Sequence, residues 1–143
     1  KDVQPNTTAC QSVPSGVLTK LRLNTEIDPQ AFVTFDDVND TFTLPAGTYR
    51  IQAIVPLHES TAGPRGAVVL YSETASAVVT ASSHTTGGDQ DTTTLQLMHI
   101  WTIASAATYS LRVHVSGAAT DIGTPRNFGY EETYTQILIC KLA

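Results

Sequence analysis

Phe42-Thr43-Leu44-Pro45-Ala46-Gly47-Thr48-Tyr49-Arg50-Ile51 decides the fold class. Apolar residues alternate up to Leu44, a Pro-x-Gly turn follows, and alternation resumes at Tyr49. Proline presets φ at such a turn and glycine admits conformations closed to other residues, so two strands meeting at a bend are expected. Beyond it, Tyr49, Ile51, Ala53 and Val55 share one face, while Arg50, Gln52 and Ile54 share the other. This period of two is that of a strand. Pro56 is expected to end it, because it cannot donate to a ladder.

The same period recurs outward along the chain. Gly16 to Asn24 reads as a strand with one wet face, Ala31–Phe35 as a short strand, and Ala67–Ser72 as a strand with a nearly continuous apolar core. Ala75–Ala81 is a β-branched stretch. Thr92–Ile103 sets Leu95, Leu97, His99, Trp101 and Ile103 against Thr94, Gln96, Met98, Ile100 and Thr102. Tyr109, Leu111, Val113 and Val115 line the next strand, and Thr133–Leu142 forms the last. No window carries a helical period. About eight short strands predict an all-β, two-sheet jelly-roll sandwich. Residues 1–15, with Pro5 and Pro14, read as a loose N-terminal arm, and 16–143 as the jelly-roll domain.

The chain has 143 residues, the size of one domain with a substantial core. Net charge is -5, and no segment clusters Lys or Arg, so neither nucleic acid nor an anionic membrane is an expected partner. No apolar run reaches the ~20 residues needed to cross a bilayer. The two cysteines, Cys10 and Cys140, would form one disulfide if the terminal strands are neighbours; the other reading is two free thiols.

Catalytic patterns are missing. There is no Gly-x-Ser-x-Gly elbow, and Glu59, Glu73, Glu131 and Glu132 are scattered, so no enzyme is expected. His58, His84, His99 and His114 show no metal-ligand spacing. Asp36, Asp37, Asn39 and Asp40 concentrate oxygen atoms of the kind Ca²⁺ takes, without the order of an EF-hand loop. A plain turn is the expectation, calcium the alternative, and no cofactor is assigned.

The last strand points to self-association. Tyr134, Gln136, Leu138, Cys140 and Leu142 alternate with Thr133, Thr135, Ile137 and Ile139, and both sets are too apolar for a strand wet on one side. A rotational oligomer would cover the second set with copies of itself. The expected interface is Tyr134, Gln136 and Leu138 with His99 and Trp101. The polar loops 82–91 and 117–130 offer His84, Asp121, Arg126 and Tyr130 as surface-recognition residues.

The stretch Phe42-x-Leu44-Pro45-Ala46-Gly47-Thr48-Tyr49-x-Ile51, with Ala67–Tyr71, Tyr109-x-Leu111, Asn127-Phe128-Gly129 and Tyr134–Ile139, resembles the C1q/TNF-like jelly-roll superfamily. Its closest likeness is to domains of phage tail-fibre and other virion structural proteins. The resemblance covers roughly residues 17–143. It implies ten strands in two sheets, a homotrimer, and a trimerising or receptor-binding head rather than an enzyme. Two further strands would then lie in 58–66 and 117–128. Implied partners are other virion proteins and a host-surface glycan or protein. The alternatives are a purely structural capsid or decoration subunit without ligand, and a secreted C1q/TNF-like ligand head.

Overall fold

The computed structural model describes residues 1–5, 8, 11–58, 65–82, 84–85, 92–116, 120–125 and 129–143. They form fourteen strands: β1 (Val3–Gln4), β2 (Ser12–Val13), β3 (Thr19–Lys20), β4 (Thr34–Asp36), β5 (Thr41–Leu44), β6 (Gly47–His58), β7 (Arg65–Ser72), β8 (Ala77–Ala81), β9 (His84–Thr85), β10 (Thr92–Ile103), β11 (Ala107–Ser116), β12 (Thr120–Asp121), β13 (Glu132–Thr133) and β14 (Gln136–Lys141). Every strand pair is antiparallel.

The architecture corrects the expected two-sheet sandwich of eight to ten strands. The strands form three sheets, and among the described residues none closes on itself. A seven-stranded sheet runs β4-β5-β11-β7-β8, with β3 added beside β11 and β9 beside β7. A five-stranded sheet centres on β6, with β10 on one flank and β14, β12 and β2 on the other. β1 and β13 form a separate two-stranded sheet. The chain is all-β with several antiparallel sheets, which agrees with a jelly-roll-type fold at the coarse level alone.

The extra elements come from segments read as arm or loop. A buried backbone must pair its N–H and C=O groups, and two-residue strands suffice for that. The arm is tied in at β1 and β2, with Val13 fully buried. Asp2 is also buried, accepting from Gln4 Nε2 at 2.6 Å and Arg22 Nε at 3.1 Å. Of the strand expected over Gly16–Asn24, only Thr19–Lys20 is strand. Beyond it other groups replace the ladder: Gln11 Oε1 accepts from Arg22 N at 2.9 Å, and Asp40 Oδ1 from Leu23 N at 2.8 Å. Burial raises the Asp40 pKa despite that bond.

β6 does not stop at Pro56 but continues to His58, paired throughout with β10. On its other flank, β14 reaches Ile54 and β12 meets His58. Pro56 falls between them, where among the described residues no strand stands opposite its missing donor.

The two larger sheets meet in one core. Tyr49, Ile51, Ala53, Val55 and Leu57 of β6 and Leu95 and Leu97 of β10 face Leu70 of β7 and Leu111, Val113 and Val115 of β11. An aromatic chain joins the sheets: Phe32 to Tyr49 at 6.1 Å, Tyr49 to Trp101 at 5.8 Å, and Trp101 edge-on to Tyr109 at 5.8 Å. At the deciding bend, the Tyr49 hydroxyl donates to the Pro45 carbonyl at 2.9 Å, and Gly47 has φ +154°. The bend is thereby locked by the first core residue after it.

The outer face of the seven-stranded sheet is polar. Glu73 accepts from Arg112 Nη2 at 2.9 and 3.0 Å and pairs with Lys20 Nζ at 3.1 Å, while Arg112 lies 3.7 Å over the Tyr71 ring. Burial works against the Glu73 charge, but the Ser110, Arg112 and Lys20 donors outweigh it and hold the pKa at about 2. A pKa depressed on folding stabilises fully above the unfolded value and is lost as pH falls toward the folded one. The side chain keeps 25% of its surface, so solvent screens the network, and about 1–2 kcal/mol is expected to disappear between about pH 5 and pH 2. Urea titrations of Glu73→Gln over that range should show this pH dependence reduced by the same amount. An unchanged slope would mean the cluster is energetically idle.

Candidate functional site

The outer face of β10, β6 and β14 stands apart from the polar face opposite. Because the inner residues of β6 are odd-numbered, Arg50, Gln52 and Ile54 must point outward. Register then builds three rows: Ile100–Arg50–Cys140, Met98–Gln52–Leu138 and Gln96–Ile54–Gln136. Met98 is 72% exposed, Ile100 58%, Leu138 54% and Ile54 43%. Single exposed apolar residues are ordinary, but four within three adjacent rows form a patch.

The polar groups among them are weakly engaged. Arg50 Nη2 reaches Cys140 Sγ at 3.8 Å, and Gln52 Nε2 reaches Met98 Sδ at 3.9 Å. Sulfur is a poor acceptor, so these donors have hydrogen-bonding capacity to spare. Arg50 is the one charged residue in the nine positions. Among the described residues, β10 has no strand on its second edge. It carries no charge, proline or register break over 92–103, so the usual devices that blunt an edge are missing.

The expected interface residues separate. Gln136 and Leu138 lie on this outer face. Tyr134 is buried, its hydroxyl donating to Glu132 Oε2 at 2.7 Å. It precedes β14, and its N–H donates to the Asp2 carbonyl at 3.0 Å, which breaks the alternation the sequence suggested. His99 and Trp101 sit half-buried on the inner side of β10, stacked at 6.1 Å. The buried Trp101 Nε1 has no acceptor. Met98, Ile100 and Ile54 stand on the faces opposite Leu97 and Ile51 by period, and their apolar character there is the sequence signal that marks this surface.

Of the recognition residues, His84 on β9 and Asp121 on β12 come to one end of the two larger sheets, opposite Gly66 and His58 respectively. Tyr130 is exposed away from any strand, and Arg126 lies outside the described residues. Cys140 is a free thiol, and its suggested partner Cys10 lies outside the described residues.

The acidic turn is used by its own backbone. Asp36 Oδ1 accepts from Val38 N and Asn39 N, both at 3.0 Å, and Oδ2 from Asn39 Nδ2 at 2.7 Å. These bonds, the Asn39 side chain's first, lower the Asp36 pKa. Asp40 turns to Leu23, and Asp37 is exposed. Among the described residues no three His, Cys, Asp or Glu side chains gather to hold a metal.

No protein-family model matches this chain, and no curated protein matches it.

Proposed function

We propose that this chain is a non-catalytic assembly head whose copies associate through the outer face of β10, β6 and β14. The observation that carries the reading is the exposed Met98, Ile100, Leu138 and Ile54 beside a β10 edge that no strand pairs among the described residues. Covering such a patch removes apolar area from water and protects the strand edge. Three-fold association follows the C1q/TNF-like motif resemblance, as does a place in a virion fibre. In that setting the end bearing His84 and Asp121 meets a host-surface glycan or protein, or another virion protein. Three weak contacts on one rigid head gain avidity through effective concentration.

Light scattering tests the assembly directly. One copy weighs 15.3 kDa, so three copies give about 46 kDa. The double variant Met98→Glu, Leu138→Glu should fall to one copy with its circular dichroism intact. A wild-type chain that stays at one copy would sink the reading.

A further inference from the structure

A cleft of about 260 Å³ opens between β14 and the β4–β5 edge of the seven-stranded sheet, beside residues 25–33. Phe32, Phe35, Ile137 and Ile139 line it, each packed against the core yet only half-buried. Side chains that face a cleft forgo dispersion contacts that an inserted group would supply. The charges around it cancel. Lys1 brings its α-ammonium and its side-chain ammonium to Glu26 and Asp28. The α-ammonium donates to the Thr25 carbonyl at 2.8 Å, and the Asp28 oxygens accept from Gln30 N, Ala31 N and Val33 N. With apolar walls and no charge left over, the cleft suits an uncharged apolar group.

The cleft is continuous with the outer face of β10, β6 and β14. Leu138, the β14 member of the Met98–Gln52–Leu138 row, also lines the cleft, as does Ile27, which is 79% exposed. The five-stranded sheet thus bears two exposed apolar sets on opposite flanks of β6. Met98 and Ile100 stand on β10, and Leu138 stands at the cleft on β14, two strand spacings or about 10 Å away. A three-fold ring needs two different surfaces that fit one another, because its contact is heterologous. Met98 suits the inserted role. It is exposed, it lies on a strand with no Asp, Glu, Lys or Arg, and its unbranched side chain adapts to irregular spaces.

We infer that Met98 of one copy inserts into this cleft of the next copy, among Phe32, Phe35, Ile137 and Ile139. The inference rests on the assembly reading above and supplies the second surface that a ring requires. Sulfur beside aromatic rings adds to the contact, and Ile27 and Leu138 close over the inserted side chain.

The test is methyl NMR on the full chain. Met98 is the sole methionine, so methionine labelled at its methyl gives one signal. None of the nine outer-face positions is aromatic, so in a single copy no ring stands beside that methyl on its own face. On assembly the signal should move upfield. Mixed labelled and unlabelled copies should then show contacts from it to the Phe32 and Phe35 rings of a neighbour. Ile27→Glu, at the exposed mouth, should raise the concentration needed for assembly about tenfold, with circular dichroism unchanged. Three copies by light scattering with the methyl unshifted and no contact to a neighbour's rings would overturn the insertion and leave the assembly reading standing. A wild-type chain that stays at one copy would remove both. A shift that persists on dilution to one copy would also overturn the insertion, since the ring would then belong to the same chain.

Discussion

Tyr49→Ala is expected to remove about 3–5 kcal/mol of stability, the range for truncating a buried aromatic. Tyr49 is fully buried, and its ring bridges Phe32 and Trp101. Loss of the ring opens a cavity where the two sheets meet and frees the bend at Pro45. Total stabilities are small, so this change alone brings a domain of this size near its unfolding threshold. Tyr49→Phe separates the two contributions: it keeps the ring, deletes the bond to Pro45, and should cost about 1 kcal/mol. Urea midpoints of the three proteins decide it. An alanine variant within 1 kcal/mol of wild type would mean that the aromatic chain is not what joins the sheets.

Gly47→Ala should cost about 2–4 kcal/mol through strain and overpacking combined. At φ +154° a side chain is disfavoured, and a Cβ there would stand 2.8 Å from the Ala143 carbonyl oxygen and 3.3 Å from the Tyr49 ring. That carbonyl accepts from Thr48 N at 2.8 Å, so displacing it also loosens the last rungs between β6 and β14. Gly16→Ala is the control. It shares a left-handed conformation, φ +73°, but no atom lies within 4 Å of its added Cβ, so only the backbone penalty of about 1 kcal/mol remains. Thermal melts should rank wild type above Gly16→Ala, and Gly16→Ala above Gly47→Ala. Reversal of the two variants would show that close approach at Gly47 is relieved by movement of its neighbours.

The long strands were legible because a period of two repeated over ten or twelve residues has few competitors. β6, β10 and β11 bury the alternate residues the pattern selects, from Tyr49 to Leu57 and from Tyr109 to Val115. The short strands were not legible. Two residues carry no period, and β1, β12 and β13 exist because distant backbone finds them, as at Val3 with Thr133. Hence the three-sheet arrangement replaced the two-sheet one. The candidate face was half legible for a related reason. Leu138 follows the alternation, whereas Tyr134 lies just outside the ladder, where bonds to Asp2 turn it into the core. The period of two separates His99 and Trp101 from Met98 and Ile100, and the strand keeps that separation, with the first pair half-buried on the inner side and the second exposed.

Pro56 gives the five-stranded sheet a natural fire-break. A fluctuation that parts β2 and β12 from the His58 end can run along that flank until it meets a residue with no N–H to release, short of the β14 rungs that begin at Ile54. That corner can breathe, exchange its amide protons or be nicked by a protease while the neighbouring block stays closed. Wear at one end of the molecule need not reach the surface proposed above for assembly.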